Sequence, residues 1–344
     1  MSCCLANLHK ILKLLRIKII ARGEHSYPWK LQTPCKTGRW KHCQFLFDRD
    51  EVNYDWLVVI DDISRSYRSK PEVLNCADAH TLLVTSEPPT ITRYGSSFTA
   101  QFEHVLTSQN ASALPHPRRI YSHTGNLWFN GRSYDEISNG GFPTKSATIS
   151  TVCSSKQQNH TLHKQRYNFT SWLKQKLPEI DIFGHGVRFV QNKYEALEPY
   201  RYHLAIENYI GPHHWTEKLA DPLLSGTVPI YYGCPNINKD LPPESYIAID
   251  INNKEAAYET IKACISDPED YTKRLEALRE AQQQILNQHN LLAMLDQIIP
   301  EHFVARQKPS GRRLYNRKQM RSKHPLDLFS HFCWGVKRHY RFVN

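Results

Sequence analysis

Long apolar runs are missing from this 344-residue chain: no segment approaches the roughly 18–20 apolar residues that a membrane-spanning helix needs. The nearest, Leu8–Ile20, is interrupted by Lys10, Lys13, Arg16 and Lys18 and has no cleavage site, which argues against both a signal peptide and an anchor helix. Its first half fits a basic amphipathic helix, whereas Ile17–Ala21, followed by Gly23, fits the first strand of a fold. Metal-ligand and disulfide patterns are missing too. The nine cysteines form no CxxC and no Cys/His ligand spacing, and only Cys3 and Cys4 lie close together. An odd, scattered set argues against a disulfide framework and a zinc site and for reduced thiols in a cytoplasm. Methionine is scarce, at three residues, so apolar stripes read as core rather than as an adaptable ligand box. Glycine and proline are ordinary in number, which leaves the globular class.

With 40 % hydrophobic residues the chain can bury a large core, and its length fits two domains. Its charge is uneven. Residues 301–344 hold eleven Lys or Arg against Glu301 and Asp327, a net +9, and residues 1–22 hold five basic residues and no acid. Against a total of +11 the body is therefore nearly neutral, and the basicity belongs to the two ends.

Short apolar runs recur at Phe45–Phe47, Trp56–Ile60, Thr81–Thr85 and Val105–Thr107, with a short helical candidate around Pro71–Cys76. This alternation predicts an open-sheet α/β domain ending near residue 142. Asn126–Pro143, with Gly131, Gly140, Gly141 and Pro143, reads as the crossing to a second domain. There, Thr148–Cys153 predicts a strand, Ser154–Lys156 a polar turn and Leu162–Pro178 a helix. Arg166 occupies the vacant place on that helix's apolar stripe of Leu162, Phe169 and Leu173. A guanidinium there needs an anionic partner or a route to water along its own stem. After Ile251 the chain turns helical, with Pro268 and Pro300 as boundaries.

The stretch Tyr202–Asp250 organises the rest. His203–Ile206 predicts a strand ending at Glu207 and Asn208, and a loop with Gly211 and Pro212 follows. Thr216 then caps a helix carrying Glu217 in its first turn and Leu219, Leu223 and Leu224 inside, ended by Gly226. Val228–Tyr232 and Ile247–Ile251 complete a βαβ pattern of parallel strands. Ligands of such sheets sit off the strand ends, against helix N–H groups, where Glu207, Asn208, His214, Glu217 and Lys218 all fall. A carboxylate beside an ammonium suits a nucleotide, the acid accepting from ribose hydroxyls and the base meeting phosphate. A solvated ion pair at a helix start is the other reading of the same two residues. In the first domain, the strand Thr81–Thr85 delivers Glu87 to its end, stiffened by Pro88 and Pro89. Taken alone, Glu87 is a surface acid before a turn. Asp61 and Asp62, paired acids after a strand, could hold Mn²⁺ under a diphosphate, but they do not form D-x-D and read as a strand terminus.

Ile206-Glu207-Asn208, then WTEKL from Trp215 and LSGTVPIYYG from Leu224, resemble the nucleotide-sugar-binding signature of the α-1,3-fucosyltransferases, glycosyltransferase family 10. Ile180–Phe183 with Gly184, His185 and Gly186 resembles the family's short D-x-F-G-x-G strand and turn. One position departs: His214, beside Trp215, stands where the family has a phenol. The resemblance covers roughly residues 55–260 and is strongest over 202–235. It implies an α/β chain of two facing Rossmann-like domains, the GT-B architecture. Residues 1–143 would form the acceptor side, 144–300 the nucleotide-sugar side and 301–344 a basic, aromatic-containing tail. It further implies GDP-fucose as donor, with diphosphate against Arg166 and Lys218, ribose against Glu217, and Glu207, Asn208 and His214 lining the donor pocket. Glu87 would be the base that deprotonates a glycan hydroxyl, with inversion and without metal or cofactor. A different nucleotide sugar on the same fold is the alternative.

The tail interleaves Lys and Arg with Tyr, Phe and Trp, which suits single-stranded nucleic acid or an anionic membrane surface. No nucleic-acid motif accompanies it, and bacterial members of the family it resembles often act on lipid-linked or outer-surface glycans. The expectation is therefore a bacterial-type, anchorless cytoplasmic enzyme, peripheral on the inner membrane face, with no nucleic-acid partner. Sequons at Asn110, Asn159 and Asn168 would matter only in a secretory compartment.

Overall fold

The computed structural model describes residues 14–21, 27–64, 66, 68–153, 161–184 and 186–340. The basic helix expected from Leu8, the Ser154–Lys156 turn, Asn159 and His185 lie outside the described residues.

The first domain holds β1 (Leu15–Ala21), β2 (Arg39–Trp40), β3 (Cys43–Leu46), β4 (Trp56–Ile60), β5 (Glu72–Val73), β6 (Thr81–Thr85), β7 (His104–Thr107) and β8 (Arg119–Tyr121). Among the described residues, all but β5 form one sheet in the order β2-β3-β1-β4-β6-β7-β8. Every pair is parallel except β2 with β3. Both faces are covered, which is why β4 and β6 are continuous apolar runs rather than alternating ones. Helix α1 (Ser96–Thr99) follows the β6 loop, and α2 (Tyr134–Asn139), started by a Ser133–Glu136 capping box, lies in the crossing.

The second domain is a five-stranded parallel sheet of β9 (Ala147–Val152), β10 (Asp181–Phe183), β11 (Tyr200–Ile206), β12 (Val228–Tyr232) and β13 (Ile247–Ala248), ordered β10-β9-β11-β12-β13. Its helices are α3 (His163–Lys176), α4 (Glu217–Leu224), α5 (Lys254–Ser266), α6 (Asp270–Lys273) and α7 (Leu275–Gln284). Phe169 and Leu173 of α3 and Leu219 and Leu223 of α4 close the core over Tyr202, Leu204 and Ile230. The chain is thus α/β, with two Rossmann-like domains, each built on a mainly parallel sheet.

A π-helical turn, Ile285–His289, returns the chain to the first domain, where α8 (Leu291–His302) lays Leu291, Leu292, Leu295 and Ile299 on Ile17, Phe45 and Trp56. Pro300 lies inside α8 rather than at a boundary. The last segment adds β14 (Arg313–Leu314), α9 (Arg317–Lys323) and α10 (Pro325–Tyr340). It covers the opposite face of the first sheet, with Leu314 and Met320 buried against Leu74, Tyr94 and Phe98. The helix expected around Pro71–Cys76 is instead β5, antiparallel to β14. Its partner arrives about 240 residues later in the chain, so local pattern could not reveal it. Among the described residues no helix is long and apolar enough to cross a membrane.

Candidate active site

The site starts at the carboxyl end of β11. Glu207 is fully buried, and its carboxylate accepts from Thr216 N at 2.8 Å and from Thr216 Oγ1 at 2.8 and 3.0 Å. Thr216 in turn caps α4 by accepting from Lys218 N at 3.3 Å. Strand end, loop and helix start are therefore one hydrogen-bonded unit, which explains the spacing between Glu207 and Thr216. Gly233 belongs to it as well: a Cβ there would stand 2.5 Å from Glu207 Cγ, so only glycine leaves room for that carboxylate.

Charges alternate around this unit. Lys218 Nζ lies 3.0 Å from Glu217 Oε1 and 3.8 Å from Glu207 Oε2. Burial pushes the Glu207 carboxyl up, with Lys218 pulling it partway back. Burial acts likewise on Glu217, but Lys218 and Lys193 override it and bring its pKa down to about 2, so it is ionised at neutral pH. Burial drives the Lys218 ammonium down, and Glu217 and Glu207 more than offset this. Arg166, buried in the first turn of α3, donates from Nη1 to Asn208 Oδ1 at 3.2 Å, while Leu162 N donates to Asn208 O at 3.1 Å. Arg166 Nε is buried with no partner among the described residues. The first turn of α3 has no acid, so its positive end adds to the guanidinium.

A cavity of about 280 Å³ is lined by Arg166, Lys193, Asn208, Glu217 and Lys218. It shares Asn208, Glu217 and Lys218 with a larger one of about 410 Å³ that lies between the domains. The far wall of the larger cavity carries Ser86, Glu87, Pro88 and Ile91. All seven residues singled out from sequence thus meet around two adjoining cavities. Arg166 lines the smaller, Glu87, Glu207 and His214 the larger, and Asn208, Glu217 and Lys218 both. His214 is buried, with Nδ1 3.4 Å from Ser108 Oγ of the first domain. Burial, with Lys218 nearby, lowers its pKa to about 4, so its ring is neutral at pH 7.

Sequence reasoning missed Lys193, whose Nζ pairs with the fully buried Asp221 at 2.7 Å, and His163 at the start of α3. Only the capping spacing Asn192–Glu195 marks the turn that carries Lys193. Asp61 and Asp62 line neither cavity and are engaged within the protein. Asp61 accepts from Ser86 N at 2.8 Å and from Tyr94, and Asp62 from Arg317. The chain does contain a D-x-D spacing, Asp48–Asp50, but it forms an exposed turn away from both cavities. Among the described residues no group of three His, Cys, Asp or Glu is arranged to hold a metal ion.

Residues 142–293 match the family model of glycosyltransferase family 10 (fucosyltransferase), C-terminal part. Over 74 residues the chain is 40 % identical to α-(1,3)-fucosyltransferase FucT of Helicobacter pylori, covering 21 % of this chain and 16 % of that protein. Over 65 residues it is 45 % identical to GDP-fucose protein O-fucosyltransferase 3 of Danio rerio, covering 19 % and 14 %. It therefore spans less than a fifth of these relatives' lengths. A crystal structure of α1,3-fucosyltransferase with GDP-fucose aligns over 93 % of this chain and 92 % of that one, at 16 % identity and a TM-score of 0.45. The matched interval takes in β9 to β13 together with Arg166, Glu207, Asn208, Glu217 and Lys218, and over that interval the chain is similar to the C-terminal part of glycosyltransferase family 10.

Proposed function

We propose that the chain is an inverting, metal-independent fucosyltransferase that moves fucose from GDP-fucose to a glycan hydroxyl. One observation carries this reading: a single cavity has Glu87 on its first-domain wall and Asn208, Glu217 and Lys218 on the opposite wall. The donor diphosphate lies against Arg166 and Lys218, and the ribose against Glu217. Asn208 orients Arg166, Glu207 holds the loop, and His214 closes the cavity beside the donor. Glu87 takes the acceptor proton as the hydroxyl oxygen attacks the anomeric carbon. The bond from that carbon to the phosphate oxygen breaks on the opposite face, and the cations meet the charge left on GDP. The family match of the second domain and the relatives' names support the donor. The test is GDP release from a panel of GDP and UDP sugars, in which GDP-fucose should stand out.

The same reading includes peripheral contact with an anionic membrane on its cytoplasmic side. Its support is α10, whose Leu326, Phe329 and Phe332 are 85, 66 and 66 % exposed while its one acid, Asp327, turns inward onto Ser96 and Ser97. The described cysteines are free thiols, in keeping with a reducing compartment.

A further inference from the structure

The loop that carries Glu87 is gripped from behind by Tyr94, Asp61 and Gln109. Tyr94, buried beneath it, places its hydroxyl 3.4 Å from Glu87 N and donates to Asp61. Asp61 sits at φ 63°, a left-handed conformation that Asp tolerates, and from there its carboxylate reaches Ser86 N at 2.8 Å and Ser86 Oγ. Gln109 Nε2 donates to Glu87 O at 2.8 Å, completing a grip on the backbone of residues 86 and 87.

The C-terminal segment holds this assembly together. Arg317, at the start of α9, donates to Asp62 from its backbone N and from Nε, each at 3.0 Å, and its guanidinium lies over the Tyr94 ring at 5.2 Å. One helix later, Trp334 Nε1 donates to Pro89 O at 3.2 Å. The neighbours Asp61 and Asp62 thus divide the work: Asp62 fixes α9, and Asp61 fixes Tyr94 and Ser86. The chain just past the far end of the segment Ser86–Gly95 is tied as well, since Asp327 accepts from Ser96 Oγ and Ser97 N at 3.0 and 2.8 Å.

We propose that Tyr94 and Arg317 are positioning residues for Glu87, so that the C-terminal segment takes part in catalysis by fixing where that carboxylate stands. The proposal rests on Glu87 being the base. A proton-accepting group must stand within hydrogen-bond reach of the attacking oxygen, and a loop displaced by 1 Å loses much of that advantage. The lost hydroxyl of Tyr94→Phe leaves the buried ring in place, so this variant should fold.

The test is GDP release from GDP-fucose in water, together with GDP affinity by titration. Turnover by Tyr94→Phe should fall about 10-fold with GDP affinity unchanged, and Arg317→Lys, which keeps the charge but loses the planar fork, should behave alike. In a Glu87→Gln background the same changes should cost less than about 2-fold, because there is no longer a base to place. A purely structural role would lower turnover in both backgrounds alike. That result, or unchanged turnover in the single variants, overturns the proposal. A wild-type protein that releases no GDP from any nucleotide sugar overturns the functional reading itself, and this proposal with it.

Discussion

Asp62 and Arg317, 255 residues apart, form a buried pair in which one carboxylate receives both the backbone N–H and Nε of the arginine. Removing one partner of such a pair typically costs about 3–5 kcal/mol, because the other charge is left buried alone. Deleting residues 303–344 would also uncover the core contacts of Leu314 and Met320. The truncated chain should lose most of the roughly 5–15 kcal/mol that stabilises an ordinary domain. A denaturation midpoint unchanged by the truncation would contradict this.

The cations Arg166, Lys193 and Lys218 around the smaller cavity give a second prediction. Arg166→Ala should cost about 2–4 kcal/mol of transition-state stabilisation, read as a fall in kcat/KM with GDP-fucose. Lys193 pairs with a buried carboxylate, so it is best changed together with its partner, as Lys193→Met with Asp221→Asn. That double variant should weaken GDP about 10-fold and leave guanosine unaffected, since an ammonium in the cavity acts on phosphate. Equal losses for GDP and guanosine would mean that the pair only supports the fold.

Acid should destabilise the protein early. Burial lowers the pKa of His203 and of His123 to about 3 and that of His214 to about 4, from 6.5. As pH falls below about 6.5 the unfolded chain takes up protons that the folded chain refuses. Stability is therefore full above that value and declines toward pH 4, by about 1.4 kcal/mol per pH unit for each group. Urea midpoints measured between pH 7 and pH 5 should drop steeply, and His203→Gln should flatten the slope by about one proton. A slope indifferent to that substitution would contradict the assignment.

The outward face of α10 is tested without truncation. Phe329→Ser with Phe332→Ser should abolish sedimentation with vesicles of phosphatidylcholine and phosphatidylglycerol at low salt, while GDP release stays as in the wild type. Attraction to such a surface is worth about 1 kcal/mol per nearby basic residue and is screened within a Debye length, so the wild-type protein should detach as salt rises. Equal binding to neutral vesicles, or binding untouched by the two changes, would rule out this surface.

Much of the second domain was legible because its elements pair with near neighbours in sequence. β11, α4 and β12 follow one another directly, and Glu207, Thr216 and Gly233 are tied by contacts spanning no more than 26 residues. Arg166 was found because helical spacing placed a charge on an apolar stripe. Lys193 was not, because the carboxylate that fixes it lies 28 residues later and leaves no periodic trace. The same holds more strongly for β5: two residues have no pattern of their own, and their strand character comes from β14. For the tail, composition records how many cations it has, and not that Arg312 and Arg317 are paired with Asp78 and Asp62.

The role of Glu87 is tested directly by one measurement. GDP release from GDP-fucose should be measured in EDTA for the wild type and for Glu87→Gln, with GDP affinity measured for both. Turnover should survive chelation and fall about 10²-fold or more in the variant, because a positioned base contributes about 10²–10⁴, with GDP binding nearly unchanged. Turnover that vanishes in EDTA and returns with Mn²⁺, GDP affinity that falls with the substitution while turnover stays, or saturable RNA binding without response to any nucleotide sugar would each contradict this reading.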